Sequence, residues 1–172
     1  MKRDTLGPLL APVEKQFAQL KADSVNDRIW AHDPTLWTDD PAGQAEVKIR
    51  LGWLRLPETS RELAKEATAF AQELKAAGIN KTLLFGMGGS SLGPEVMSLT
   101  FNLKPETFAI LDSTDPAQVA SARENFPPEE TLYIVASKSG GTAETMSAFH
   151  YFWEQSGGDG SHFVAITDPG SG

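Results

Sequence analysis

The chain contains no cysteine, which excludes disulfides, thiolate metal sites and thiol nucleophiles. No apolar run approaches the ~20 residues that a membrane span requires. The N-terminal Met1-Lys-Arg-Asp-Thr5 has positive charge but no apolar segment behind it, so no secretory signal is expected. Positive charge is scarce: 15 Lys and Arg against 23 Asp and Glu leave a net charge of −8. So acidic a chain has no general attraction for nucleic acid or anionic lipid. Any anion it binds must be held by a local set of donors. Histidine is scarce too, and no histidine–carboxylate cluster around His32, His150 or His162 suggests a metal. The lack of cysteine is compatible with a cytoplasmic chain.

What is present is organised around Leu83-Leu-Phe-Gly-Met-Gly-Gly-Ser-Ser-Leu-Gly-Pro-Glu95. A short apolar run passes through a Gly/Ser turn into helical spacing at Leu92, Val96 and Leu99. That is the front half of a parallel βαβ unit. Glycines there bring backbone N–H groups close to a ligand, and the helix N-terminus adds partial positive charge, which suits an anion such as phosphate. Two nucleotide motifs fail. The dinucleotide fingerprint has Ser91 where its third glycine belongs. The P-loop lysine is absent, because Pro94 and Glu95 follow Gly93. An unliganded tight turn is the plain alternative.

The 172 residues, 40% of them hydrophobic, suit one domain with a proper core. Residues 1–56 read as a helical arm. Pro12 opens a helix with Val13, Phe17 and Leu20 on one face, and Val25–Trp30 forms a further turn or two. Pro34 breaks the pattern. Asp40-Pro41 caps a helix that runs toward Leu54. The tryptophans of this region, Trp30, Trp37 and Trp53, are expected to pack. In residues 57–172, Thr59-x-x-Glu62 reads as a capping box. Leu63, Ala67, Phe70, Ala71 and Leu74 make one helical stripe, and Gly78 stops it.

Strand and helix then alternate. Strands are expected at Thr82–Phe85, Thr107–Leu111, Thr131–Ala136 and His162–Ile166. Between them come helices at Leu92–Phe101, from the Asp115 cap to Phe126, and at Thr142–Gln155, the last with Met146, Phe149 and Trp153 on one face. The fold class is α/β: a doubly wound αβα sandwich with a parallel sheet of at least four strands, preceded by the arm. Asp168-Pro-Gly-Ser looks like the start of another helix, so the chain reads as a piece of a longer protein.

The four loops after the strands are all glycine, hydroxyl or carboxylate, and a parallel sheet places them at its carboxyl edge, where such sheets bind ligands. Ser137-Lys-Ser-Gly-Gly-Thr142 is the most telling. Three hydroxyls, two glycines and a helix N-terminus can wrap a phosphate monoester. Lys138 is the only cation among the four loops. Thr142 also reads as an ordinary N-cap. His150 and His162 read as packing residues.

Gly86-Met-Gly-Gly-Ser-Ser-Leu-Gly-Pro94 together with Ser137-Lys-Ser-Gly-Gly-Thr-Ala-Glu-Thr145 resembles the phosphoglucose isomerase family, in its first sugar isomerase (SIS) domain. The arm sequence His32-Asp-Pro-Thr-Leu-Trp37 resembles the form fused to transaldolase. The resemblance implies a flavodoxin-like, five-stranded SIS domain that binds glucose 6-phosphate or fructose 6-phosphate. It also implies that Ser90, Ser137, Ser139 and Thr142 hold the sugar phosphate, with Gly89 and Lys138 in the same loops. A glycolytic and gluconeogenic role and a homodimeric parent follow from it. Two departures stand out: Ser91 replaces a frequent Asp, and Gly140-Gly141 a bulkier pair.

Aldose–ketose isomerisation needs a base between C1 and C2 and an acid for ring opening. The resemblance puts that base, a Glu, beyond Gly172. No catalytic residue is therefore expected here, and Glu144 is a candidate support residue only. The alternatives are a non-catalytic sugar-phosphate sensor and another SIS-type isomerase or aminotransferase.

Overall fold

In the computed structural model, which describes residues 5–168 and 171, the chain separates into two units, Met1–Ala67 and Thr68–Gly172. The first is helical. After a 3₁₀ turn at Gly7–Leu9 come α1 (Leu10–Ala22) and α2 (Val25–Trp30). Helix α1 starts two residues before Pro12, which the first turn tolerates because its N–H groups lack partners there. Asp33 then caps the turn Pro34–Leu36. Its carboxylate accepts from the Thr35 hydroxyl at 2.6 Å and pairs with Arg28 at 2.7 Å. These two partners, Thr35 first, hold its pKa at about 2.

Helix α3 (Pro41–Arg50) has the expected cap, Asp40 accepting from the Gly43 N–H at 2.7 Å. It stops short of Leu54, and a 3₁₀ turn at Gly52–Arg55 takes over. Then come α4 (Leu56–Thr59) and α5 (Arg61–Ala76), within which the boundary between the units falls. The capping box is not formed. Thr59 lies inside α4, so its hydroxyl donates back to the Arg55 carbonyl. The Gly78 stop is formed: φ is +89°, and Ile79 N–H bonds the Leu74 carbonyl as in a Schellman ending. Trp30, Trp37 and Trp53, expected to pack, are about half exposed or more.

In the second unit β1 (Lys81–Gly86), α6 (Gly89–Thr100), β2 (Phe108–Leu111), α7 (Pro116–Asn125), β3 (Thr131–Ala136), α8 (Ala143–Gln155) and β4 (Phe163–Ile166) follow in turn. The strands form one parallel sheet in the order β2-β1-β3-β4. Leu83 and Phe85 point to one face, with Leu111, Tyr133, Ala148 and Phe152 in the same core. Phe85, Tyr133 and Phe152 stack within 5.8 Å of one another. The Tyr133 hydroxyl finds the Phe126 carbonyl at 2.8 Å. Burial, then the nearby Glu129 charge, pushes its ionisation well above the usual phenol range.

The core face of α8 is Thr145, Ala148 and Phe152. Met146, Phe149 and Trp153 form a second stripe, half-buried, along a groove of about 370 Å³ beside β4. The Trp153 ring rests on Gly158 and Gly160. His150 is exposed rather than packed. His162 precedes β4 in a 3₁₀ turn, half-buried, with Nδ1 3.3 Å from the Thr131 carbonyl.

Candidate functional site

The chain leaves β1 for β2 on one side and later returns through β3 on the other. The register ends with Gly86 opposite Ala136, so the loops that follow these two strands start side by side. That is the topological switch point, where an open parallel sheet parts its loops and leaves a crevice. The Gly86–Pro94 and Ser137–Thr145 motifs are the two segments that border it.

The first loop is shaped by two glycines. A Cβ on Gly86 would lie 3.0 Å from both the Ser90 Cβ and the Ser90 carbonyl oxygen. Pro94, inside α6, has no N–H to give that carbonyl. Gly88 has φ +56° and ψ −122°, a conformation open to glycine. Helix α6 therefore begins at Gly89, three residues before the expected Leu92, and Gly89 and Ser90 lie in its first turn. Ser91 is buried and donates to the Gly88 carbonyl at 3.0 Å, which closes the turn. Its departure from the family pattern thus has a local structural use.

In the second motif Ser137 is only 4% exposed. Its N–H bonds the Ile166 carbonyl at 3.0 Å, and its Oγ lies 2.9 Å from Thr142 Oγ1. Thr142 occupies the N-cap position of α8 but makes no side-chain cap bond. The expected hydroxyl cap is absent because that hydroxyl pairs with Ser137. The first turn of α8 therefore keeps its positive dipole end without a side-chain acceptor. Gly140 turns the loop at φ +72°, and Ser139 Oγ accepts from the Gly141 N–H. Lys138 and Ser139 are exposed, and Glu144 is exposed in the first turn of α8. The Lys138 carbonyl accepts from Asp168 N–H at 3.4 Å, tying this loop to the one after β4. Pro169 and Gly170, part of the expected further helix start, lie outside the described residues.

Of the carboxylates at this edge, Asp115 is occupied as the α7 cap, accepting from Ala117 and Gln118 N–H groups. Sequence reasoning missed the Ser137–Thr142 pair, since a five-residue separation has no periodic signature in a loop. It also gave no role to Thr145, whose buried hydroxyl has no hydrogen-bond partner among the described residues. Among the described residues no cluster of His, Asp and Glu suits a metal ion, and no helix is long and apolar enough to cross a membrane.

These features define a class: doubly wound parallel α/β domains with Gly/Ser/Thr loops at the switch point. A sequence model of the family described as phosphoglucose isomerase matches residues 61–169, and the chain belongs to that family. It is 34% identical over 141 residues to a glucose-6-phosphate isomerase of Thermus thermophilus, covering 76% of this chain and 32% of that one. The Rubrobacter xylanophilus glucose-6-phosphate isomerase is 30% identical over 149 residues, covering 81% and 32%. Among solved structures, a hypothetical protein from Thermus thermophilus superposes with a TM-score of 0.67 at 26% identity, over 96% of this chain and 37% of that one. A glucose-6-phosphate isomerase from Chlamydia trachomatis superposes with 0.53 at 30% identity, over 65% and 23%. The chain thus spans about a third of the length of the relatives it matches.

Proposed function

We propose that residues 57–172 are the phosphosugar-binding SIS domain of a cytoplasmic glucose-6-phosphate isomerase, and residues 1–56 its N-terminal arm. The enzyme would interconvert glucose 6-phosphate and fructose 6-phosphate in glycolysis and gluconeogenesis, as a homodimer without metal or cofactor. The observation that carries the reading is the side-by-side start of the two loops at Gly86 and Ala136. Hydroxyls of Ser90, Ser139 and Thr142, with the Ser137 hydroxyl behind Thr142, face phosphate oxygens in this reading. Backbone N–H groups near Gly89 and at the start of α8 add to the same charge, and Lys138 balances part of it.

Phosphate held at one end of the sugar fixes where C1 and C2 lie at the other. This chain's share of catalysis is then positioning. Proton transfer between C1 and C2 needs a base, which this reading places outside these loops. Asp115 is engaged as a cap, and Glu144 lies exposed in the first turn of α8. The chain alone is therefore inactive in this reading, with Glu144 a support residue.

Titration with fructose 6-phosphate, followed by amide NMR, tests the binding. Shifts confined to residues 86–91 and 137–142, with a dissociation constant on the order of millimolar, are expected. No shift at about ten times that concentration overturns the assignment. Turnover by the purified chain in a coupled assay, abolished by Glu144→Gln or Asp112→Asn, would put the base in this chain and overturn that part of the reading.

A further inference from the structure

Three donors converge on one carbonyl at the start of α6. The Gly88 oxygen accepts from the Ser91 N–H at 3.1 Å, the Leu92 N–H at 2.9 Å and the Ser91 hydroxyl at 3.0 Å. Bonds from N–H groups are common to helix starts; the hydroxyl bond is extra. Ser91 is only 3% exposed, so that bond is made away from water, where it is strong and directional. The peptide that joins Gly88 to Gly89 is planar and trans, so its C=O and N–H point in opposite directions. With the C=O held into the helix, the Gly89 N–H points out of the helix's N-terminal end. That N–H has no hydrogen-bond partner among the described residues, and Gly89 is exposed.

Sterics do not hold this peptide in place. Gly88 has φ +56° and ψ −122°, and the Ser90 N–H bonds the Met87 carbonyl at 3.2 Å, so Met87–Ser90 is a type II′ turn. Rotating the Gly88–Gly89 peptide by half a turn gives type I′, which needs positive φ at both central residues. Both are glycine here, so both turns are open to the chain. A Cβ at either position would meet nothing within 4 Å, so the surroundings leave room for the rotation. In the rotated form the carbonyl oxygen, not the N–H, would face an arriving anion.

We propose that the Ser91 hydroxyl is a latch on this peptide and Ser91 a positioning residue of the sugar-phosphate site. It keeps the turn in the form that offers the Gly89 N–H to a phosphate oxygen, and does so without touching the phosphate. Affinity scales with the fraction of chains in that form. The inference rests on the phosphate-site reading above and adds to it a residue that the family's phosphate-holding set does not include. The Asp frequent at this position in the family cannot play the part when ionised, because a carboxylate accepts and does not donate. Serine supplies a neutral donor in its place.

Amide NMR of the 172-residue chain tests the latch with and without ligand. The Gly88 and Gly89 amide protons are far apart in type II′ and close in type I′, so their nuclear Overhauser contact reports the rotation. In the free chain that contact should be weak, should strengthen in Ser91→Ala, and should stay weak in Ser91→Thr, which keeps the hydroxyl. An equally weak contact in Ser91→Ala overturns the latch whatever the site binds. With fructose 6-phosphate, Ser91→Ala should weaken binding about two- to tenfold, the span of one net hydrogen bond, and should shrink the shift of Gly89 relative to those of residues 137–142. Ser91→Thr should restore both. Should Ser91→Ala fail to fold, Ser91→Cys, similar in shape and a weaker donor, reads the same loss. Unchanged affinity in Ser91→Ala, or an equal loss in folded Ser91→Thr, overturns the latch and leaves the site reading standing. A parent chain whose shifts spare both loops overturns the site reading and the role of the latch with it.

Discussion

Ser137 and Thr142 share a hydrogen bond, Oγ to Oγ1 at 2.9 Å, and it removes the Thr142 hydroxyl from the helix it precedes. An N-cap threonine that caps stabilises by about 1 kcal/mol. Thr142 does not, whereas Asp115 accepts two N–H bonds at the start of α7. Thr142→Ala therefore removes no cap but leaves the buried Ser137 hydroxyl without its partner, at a cost of about 1–3 kcal/mol, whereas Asp115→Ala loses a cap worth about 1 kcal/mol. In urea unfolding, adding Ser137→Ala to Thr142→Ala should recover part of the loss; no recovery would assign the loss to the helix start instead. In an isomerase of the relatives' length, Thr142→Ala should raise KM more than it lowers kcat, the signature of lost ground-state and transition-state binding alike.

Gly86→Ala places a methyl 3.0 Å from the Ser90 backbone oxygen and Cβ. The helix start must move to admit it. A loss of about 1–3 kcal/mol is expected, with amide shifts centred on residues 86–91. A fully stable variant with an unchanged spectrum would show that α6 has slack at that point.

Thr131 opens β3 fully buried, and its hydroxyl has no partner among the described residues. Thr131→Val keeps the shape and removes the unsatisfied group. Stability should rise by about 1 kcal/mol, read from the denaturation midpoint at constant m-value. A fall would mean that a buried water serves that hydroxyl.

The Asp33 carboxyl is lowered from 3.8 to about 2 by the Thr35 hydroxyl and Arg28. A depressed folded-state pKa contributes stability that is complete above pH 3.8 and disappears as pH falls through about 2. The deficit of Asp33→Asn relative to the parent chain should therefore be constant from neutral pH down to the unfolded value and narrow below it. A deficit independent of pH across that window would assign the effect to the turn at Pro34 rather than to charge.

The alternating elements were legible because punctuation and period agreed. Asp115-Pro116, Gly78 and the apolar run Thr131–Ala136 each carry a local rule, and each stands where that rule puts it. Errors arose where two local rules competed. Thr59 satisfies the capping-box spacing, but a short helix that begins at Leu56, with Pro57 in its first turn, already contains it, and the hydroxyl follows that helix. In α8 two apolar stripes have helical spacing, and only the sheet's position selects Ala148 and Phe152 over Phe149 and Trp153 as the buried pair. The site's two segments were visible as composition. Their adjacency came from strand order, which no window of sequence contains.

The strand order β2-β1-β3-β4 also sets the sequence of events at birth. Strand β1 leaves the ribosome first, yet it is flanked on both sides only after β3 has emerged. Until then Leu83 and Phe85, among the most deeply enclosed side chains of the finished domain, have half a sheet to shelter them. At ~5–20 residues per second of synthesis, that interval lasts seconds. In it the nascent domain presents a sticky, unpaired strand edge, so a holdase that shields the emerging chain should raise its soluble yield more than one acting after release.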